Sequence, residues 1–260
     1  MRFAEGGRRL EKLAGGSPGE ARAPRARWRT RAAGRDPWAA TGEVGDQRWL
    51  REPGPSLARE AAQQAVLFPL TRFFAKPTII GADDLMHVPQ PAVIAPNHGS
   101  DIDTPLILAA LPRPWRARTV VGAASDRFYR RRRYAVLTGF WINTFPFDRS
   151  GELRGLADAA ELLREGHNVL LYPQGTRSSG TVEGFRTGVA RLCTVTQVPL
   201  VPVHVAGTSL IMPKDRFITQ RGRTTVTFGH PLFPEPGEQP RELMERSMLA
   251  IADLAPRRRR

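Results

Sequence analysis

An imidazole and a carboxylate stand five positions apart at His98 and Asp103, directly after a short apolar segment. The run from Pro91 to Pro96 is apolar and bounded by prolines, which indicates a buried strand that ends at Pro96. Thr104-Pro105 is typical of a helix start, because proline fits the first helical position and threonine can cap it. The pair therefore flanks a strand-to-helix turn.

Whether these two side chains meet depends on that turn. On a regular helix a separation of five places them about 140° apart, so they meet only if His98 lies in the loop and reaches back to the helix. Asp103 would then fix the imidazole tautomer and favour its protonated form, which makes His98 a candidate general base. Ordinary turn and capping roles are the alternative, because such short spacings recur by chance.

A second loop carries a fixed cation. The run from Asn168 to Tyr172 indicates another buried strand, and it continues into a turn sequence from Pro173 to Ser178 that contains Arg177. A solvated surface charge is one interpretation of this arginine, in a chain with 39 lysines and arginines.

Four blocks of sequence, taken in order, resemble the glycerolipid acyltransferase family, whose best-known members acylate lysophosphatidic acid. The blocks are Asn97-His98 with Asp103, the weaker Phe145-Pro146-Phe147-Asp148-Arg149, then Tyr172-Pro173-Gln174-Gly175-Thr176-Arg177-Ser178, and Val198-Pro199-Leu200-Val201-Pro202-Val203. Their order and spacing make the resemblance more specific than any single block. Two departures stand out: Gln174 replaces the family's usual glutamate, and Thr144 to Pro146 interrupts the apolar run before Arg149.

The resemblance implies an O-acyltransferase in which His98 and Asp103 are catalytic, with His98 taking the proton of the acceptor hydroxyl. The substrate-binding residues that it implies are Asn97, Arg149, Gln174, Gly175, Thr176 and Arg177. Arg177 and Arg149 would hold an acceptor phosphate, since a guanidinium offers forked donors that match its oxygens. The lost negative charge at Gln174 leaves the identity of the acceptor open.

Other kinds of chemistry lack their sequence signatures. The Gly-x-Ser-x-Gly nucleophile elbow is absent, and the lone Cys193 lies in an apolar-periodic segment where a packed core residue is expected. We therefore expect direct attack of the acceptor hydroxyl on an acyl thioester, carried by coenzyme A or acyl carrier protein. No metal and no further cofactor are expected, because the five histidines are scattered and no glycine-rich nucleotide motif occurs.

Composition divides the chain into one core-bearing domain with tails. Residues 1–55 are rich in Arg, Gly, Ala and Pro and are predicted to be a disordered basic tail, although an over-extended reading frame would have the same composition.

Residues 56–78, capped by Ser56, predict an amphipathic helix that could lie on a membrane, cover an acyl groove or pack on the core. Its apolar side would comprise Ala61, Ala62, Ala65, Val66, Leu70, Phe73 and Phe74, with a kink at Pro69. Residues 79–256 are the predicted catalytic domain, and 257–260 a second basic tail.

Strand and helix periodicities alternate through that domain. Buried strands are predicted at 119–121 and 200–205, a partly exposed strand at 224–228, and helices at 153–163 and 241–254. The pattern predicts an α/β fold with a mixed central β-sheet flanked by helices, as a single catalytic domain of the glycerolipid acyltransferase type.

The formal net charge of +14 calls for a polyanionic partner. Anionic lipid headgroups fit the arginine runs at 130–133 and 257–260, because cations gain about 1 kcal/mol each near such a membrane surface. Nucleic acid is the rival partner but is not expected, since no nucleic-acid-reading motif accompanies the charge; a solvated face is the plain alternative. No secretory segment follows Met1 and no apolar run is long enough to span a bilayer, which predicts a cytoplasmic protein peripheral on the inner face of the cell membrane.

The function predicted from the sequence is transfer of a fatty acyl group to the hydroxyl of a glycerol phosphate or lysophosphatidic acid in phospholipid synthesis. The expected partners are the acyl thioester, a phosphorylated glycerolipid acceptor, an anionic membrane and, as one option for the donor, acyl carrier protein. Two alternatives stay open: acylation of another lipid-linked alcohol such as a glycolipid, and a non-catalytic lipid-surface or nucleic-acid-binding protein on the same fold.

Overall fold

The structure, a computed structural model, describes residues 47–148, 152–177, 182, 184–213 and 220–256, with the backbone alone at 152–154. The strands are β1 (Pro77–Ile80), β2 (Val93–Pro96), β3 (Thr119–Ala124), β4 (Thr144–Phe147), β5 (Asn168–Leu170), β6 (Leu200–Ala206) and β7 (Thr224–Phe228). The α-helices are α1 (Pro53–Ala62), α2 (Phe68–Ala75), α3 (Asp103–Ala110), α4 (Arg113–Arg118), α5 (Ser125–Phe128), α6 (Arg132–Ile142), α7 (Glu152–Arg164), α8 (Gly188–Thr196), α9 (Thr208–Ile211) and α10 (Pro240–Asp253). Short 3-10 helices lie at Arg48–Arg51 and Asp83–His87, and a π-helical turn at Gln63–Leu67 joins α1 to α2.

The strands within these residues form one seven-stranded sheet in the order β1-β7-β6-β2-β5-β3-β4. Neighbouring strands run parallel except for β6 and β7, which are antiparallel. The predicted mixed sheet flanked by helices is therefore confirmed. Because β2, β5 and β3 are parallel neighbours, their carboxyl ends lie along the same edge of the sheet, which is where α/β folds place ligands.

Period-two alternation along the central strand explains how the sheet is buried on both faces. In β2, Ile94 packs into the core beneath α2 and α3, whereas Val93 and Ala95 pack into the core beneath α7, α8 and α10. All three side chains are fully buried. Because β2 is packed on both faces, the loop that follows it begins at a fixed position.

The amino-terminal helix, which comprises α1, the π-helical turn and α2, begins earlier than the sequence predicted. It starts at Pro53, a residue type suited to the first helical turn, and not after Ser56. Residues 47–55, assigned to the basic tail from composition, are folded: Leu50 is buried and its carbonyl accepts a 2.8 Å hydrogen bond from Arg59 Nη1. Burial and the nearby charge of Arg51 lower the pKa of Arg59 to about 10. The end of the helix is set by Lys76, whose left-handed backbone precedes Pro77.

The side of this helical segment that packs on the core is not the apolar side that the sequence predicted. The side chains that it buries are Arg59, Gln63, Phe68, Thr71 and Ala75. Most of the predicted apolar side points outward, with Val66, Leu70 and Phe73 each about half exposed. No helix among the described residues is both long and apolar enough to cross a bilayer.

Several other sequence predictions compare directly with the structure. The closing helix is confirmed as α10, and its capping box includes a 2.8 Å hydrogen bond from the Gln239 backbone N–H to Glu242 Oε2. Strand β7 is more buried than predicted, because it lies between β1 and β6 in the sheet and its Val226 and Phe228 pack in the core with α2 and α3. Helix α6 was not predicted, and its first turn contains part of the exposed arginine run at 130–133. Residues 1–46 and 257–260 lie outside the described residues.

Candidate active site

The structure brings His98 and Asp103 together as the sequence predicted. His98 lies in the loop after β2, and its Nδ1 is 2.9 Å from Oδ2 of Asp103, the first residue of α3. The same oxygen accepts hydrogen bonds of 2.8 Å from the backbone N–H groups of Gly99 and Ser100. Because an ionised carboxylate can only accept, the proton of a neutral imidazole lies on Nδ1, which leaves Nε2 as the basic nitrogen.

Asn97 holds the start of this loop against the neighbouring strand. It is fully buried, its Nδ2 donates to the carbonyl of Val205 at 3.0 Å, and its Oδ1 accepts from the N–H of Val205 at 2.7 Å. The Asn97 side-chain amide thus makes the two reciprocal hydrogen bonds with Val205 that the backbone of a neighbouring strand would make. This geometry makes Asn97 a positioning residue, whereas the sequence predicted a substrate contact.

A residue in the loop after β5 packs against one face of the His98 ring. The ring of Tyr172 stacks on the imidazole, with 3.9 Å between ring centroids and 25° between planes. The Tyr172 hydroxyl is 2.7 Å from Oγ1 of Thr104, which ties the stacked ring to α3. Burial and the nearby charge of Asp103 raise the pKa of Tyr172 well above its usual value, so the phenol stays neutral.

Gln174 fills a structural role at the position where the family usually has glutamate. Its side chain is buried, and its Oε1 accepts a 2.7 Å hydrogen bond from the backbone N–H of His98. An amide oxygen can replace a carboxylate oxygen in this contact without placing a charge beside the imidazole. The substitution therefore preserves the acceptor for the His98 backbone.

The turn that follows depends on a glycine. Gly175 has a φ of +66°, a left-handed conformation that glycine adopts without steric cost, and its N–H bonds the carbonyl of Tyr172 at 3.0 Å. This turn brings Thr176 and Arg177 to the rim of the cavity.

Arg177 joins an ion-pair cluster that the sequence did not predict. Its Nη1 lies 3.0 Å from Oδ2 of Asp101. Arg127, which follows β3, contacts both oxygens of the same carboxylate, at 3.0 Å from Nη1 and 2.7 Å from Nη2. Arg149, the second predicted phosphate ligand, lies outside the described residues.

One cavity of about 420 Å³ connects these groups. His98, Asp101, Arg127, Arg177 and Arg186 give it a polar side, and Val121, Ile142, Phe147, Leu156, Leu171 and Val189 line the remainder with apolar surface. The cavity thus combines an imidazole, guanidinium groups and apolar surface, so it can accept a molecule with an anionic part and a hydrocarbon part. Arg186 was also missed, because it reaches the cavity from a loop without a recognisable motif.

Cys193 takes no part in this site. It lies on α8 and is fully buried in the core beneath α7 and α10. Burial raises the pKa of its thiol well above the usual value, so it remains protonated. The structure confirms the core role predicted for this residue.

The fold and site define an acyltransferase-type α/β domain, and comparisons with known proteins agree. A sequence model of the acyltransferase family matches residues 78–206. A 1-acyl-sn-glycerol-3-phosphate acyltransferase of Chlamydomonas reinhardtii is 29% identical over 185 residues, which cover 70% of this chain and 54% of that protein. The chloroplastic LPAT1 of Arabidopsis thaliana is 27% identical, over 61% of this chain and 44% of that protein.

A solved structure shares the fold. The crystal structure of the 1-acyl-sn-glycerophosphate acyltransferase PlsC from Thermotoga maritima aligns with a TM-score of 0.60 and 22% identity, covering 83% of this chain and 84% of that one. The chain spans about half the length of the curated relatives it matches. Residues 78–206 thus form a domain of the acyltransferase family, and the chain is similar to the glycerolipid acyltransferases.

The stack beneath His98 gives a prediction that is independent of any activity. Tyr172→Phe keeps the ring and removes the hydroxyl bonded to Thr104, which should lower the free energy of unfolding by about 1 kcal/mol. Tyr172→Leu removes the ring as well, so the His98 imidazole should lose its ring-current shift. Urea unfolding and NMR of the His98 ring protons measure the two effects. Equal imidazole shifts in the Phe and Leu variants would contradict the role assigned to the stack.

Proposed function

We propose that this protein transfers a fatty acyl group from an acyl thioester to the hydroxyl of lysophosphatidic acid or glycerol phosphate. One observation carries the proposal: His98, paired with Asp103, lines a cavity whose other lining residues include both guanidinium groups and apolar side chains. The matched relatives are 1-acyl-sn-glycerol-3-phosphate acyltransferases, which supports the same conclusion.

The proposed reaction needs a single proton shuttle. His98 Nε2 takes the proton of the acceptor hydroxyl as its oxygen attacks the thioester carbonyl, which forms a tetrahedral intermediate. Collapse of that intermediate breaks the carbon–sulfur bond, and the imidazolium returns its proton to the leaving thiolate. Asp103 stabilises the imidazolium between these steps without itself becoming protonated, because its Oδ2 already accepts from Nδ1 and two backbone amides. The donor is coenzyme A or acyl carrier protein.

Arg177 is the proposed ligand of the acceptor phosphate. Its side chain is 10% exposed and lies at the same cavity as His98, so the phosphate would be largely withdrawn from water. A guanidinium suits this position because its planar donors can bond two phosphate oxygens at once. Arg149 is retained as a second proposed ligand on the resemblance alone.

We also propose that the protein works as a peripheral protein on an anionic membrane, at the inner face of the cell membrane. The outward side of α1 and α2 presents Leu57, Val66, Leu70 and Phe73 to solvent. The four arginines at 130–133 are exposed as well, and Leu137 beside them is 52% exposed. Apolar side chains together with cations match the two chemical layers of an anionic bilayer surface.

The general base gives the first test. His98→Ala should reduce acyl transfer by about 10² to 10⁴, the usual contribution of general base catalysis, and Asp103→Asn should reduce it severely. Purified protein is assayed with a labelled acyl thioester, while circular dichroism checks that each variant is folded. Near-parental transfer by folded His98→Ala would exclude this mechanism. A panel of phosphorylated and glycosylated acceptors in the same assay tests the glycolipid alternative: preference for a phosphate-free acceptor would exclude the substrate proposed here.

Arg177→Lys tests the phosphate ligand. It keeps the positive charge but loses the planar fork, so KM for the phosphorylated acceptor should rise while KM for the thioester stays near its parental value. Steady-state kinetics with each substrate varied in turn separates the two. A similar rise in both constants would assign Arg177 to folding of the site.

Membrane binding should divide into a salt-sensitive and a salt-resistant part. R131Q/R132Q/R133Q should remove much of the salt-sensitive binding to anionic vesicles, at about 1 kcal/mol per cation, and L70S/F73S should remove the salt-resistant part. R164Q/R191Q/R241Q removes equal charge from exposed positions on other helices and serves as the control. Vesicle co-sedimentation over a salt series measures each. Equal loss in the control, or equal binding to neutral vesicles at low salt, would contradict the proposal.

A further inference from the structure

We propose that Arg127 is a second residue that binds the acceptor phosphate, and that Asp101 positions it beside Arg177. The inference rests on the proposed function, because it concerns the acceptor of that reaction. Arg127 lies outside the four sequence blocks that resemble the family.

Sheet topology brings the three residues together. Asp101 follows β2, Arg177 follows β5 and Arg127 follows β3. These strands are parallel neighbours, so the loops at their carboxyl ends meet at one edge of the sheet. Residues far apart in sequence therefore form one cluster at the cavity that contains His98.

The geometry of the cluster is that of an anion site. Arg127 Nη2 and Arg177 Nη1 approach the same oxygen, Asp101 Oδ2, at 2.7 and 3.0 Å. Two guanidinium groups from different strands thus converge on a single oxygen position. Each guanidinium has five N–H donors, so donors beyond those that bond Asp101 can reach a phosphate oxygen beside the carboxylate.

Charge supports the same assignment. The two guanidinium groups and the Asp101 carboxylate together carry a formal charge of +1, and both cations lie at the cavity lining. Without Asp101 the two cations would repel each other, and the carboxylate therefore acts to keep both directed at one place. The Arg127 side chain is 43% exposed, and such exposed ion pairs contribute only about 0 to 1 kcal/mol to folding. Removal of Arg127 should consequently leave the fold intact.

The test compares Arg127→Gln with Arg191→Gln, which removes the same charge from an exposed position on α8. The acceptor is a short-chain lysophosphatidic acid in solution, so that membrane binding does not contribute. Arg127→Gln should raise KM for this acceptor roughly tenfold or more, as loss of a charge-assisted hydrogen bond predicts, with KM for the thioester and kcat within about threefold of parental values. Arg127→Lys should fall between, and Arg191→Gln should be unchanged. Equal rises in both KM values, or no rise, would overturn the proposal.

A second variant separates phosphate contact from support of Asp101. If Arg127 binds phosphate, Arg127→Gln should still raise the acceptor KM when it is introduced into Asp101→Asn. If Arg127 acts solely through Asp101, the double variant should match Asp101→Asn, and the proposal fails.

A binding measurement keeps this result separate from the proposed reaction. Glycerol 3-phosphate should raise the Tm of the parental protein, and Arg127→Gln should lose most of that rise while Arg191→Gln keeps it. Absence of acyl transfer to any phosphorylated acceptor would reject the proposed function, yet the Tm series would still decide whether the anion subsite exists. No rise in the parental protein, or an equal rise in Arg127→Gln, would overturn the subsite.

Discussion

The site depends on one buried carboxylate. Asp103 is fully buried, and a buried carboxylate is costly unless hydrogen-bond donors surround it. Its Oδ2 is met by the imidazole of His98 and by the backbone amides of Gly99 and Ser100, so the loop must close around it. Its position in the first turn of α3 adds the favourable field of the helix amino terminus. The requirement to satisfy this charge therefore orients the imidazole.

Residues that follow neighbouring strands make the remaining contacts that position His98. The amide of Asn97 fastens the loop to β6, Tyr172 fixes the plane of the imidazole, and Gln174 holds the His98 backbone. Each of these contacts is made by a residue at the end of β2 or in the loop after β5, with parallel strands providing the frame. The neutral side chain at Gln174 shows that the hydrogen bond and the charge at this position are separable. The charged groups described at the cavity are therefore Asp101 and the arginines, and not residue 174.

Sequence reasoning succeeded where the relevant contacts are local. The closure of His98 on Asp103 followed from a strand, a turn and a helix start within a few residues. Arg127 could not be found this way, because its relation to Asp101 and Arg177 depends on the order of three strands in the sheet. Its one sequence signal was its place directly after an apolar segment, the same signal that marked His98.

The amino-terminal helix illustrates a different limit. Its periodicity predicted an apolar side correctly, but periodicity does not say whether that side meets the core or the outside. The core is reached instead by a side containing Arg59 and Gln63, whose polar ends bond backbone carbonyls of Leu50 and Trp141. The boundary at Pro53 was missed because Ser56 is a preferred capping residue by type, whereas the N-cap in the structure is Glu52, which is not.

Gly122 has a consequence for how the cavity could change its capacity. A Cβ atom there would lie 2.3 Å from Cδ2 of Leu171, so any larger residue at 122 requires the Leu171 side chain to move. At this part of the cavity lining, Gly122 therefore leaves space that the Leu171 side chain occupies. Ile142 on α6 and Leu156 on α7 also line it, and they sit on helices that can tilt or exchange side chains. Changes in the capacity of the cavity that leave Leu171 in place therefore fall on the helical wall.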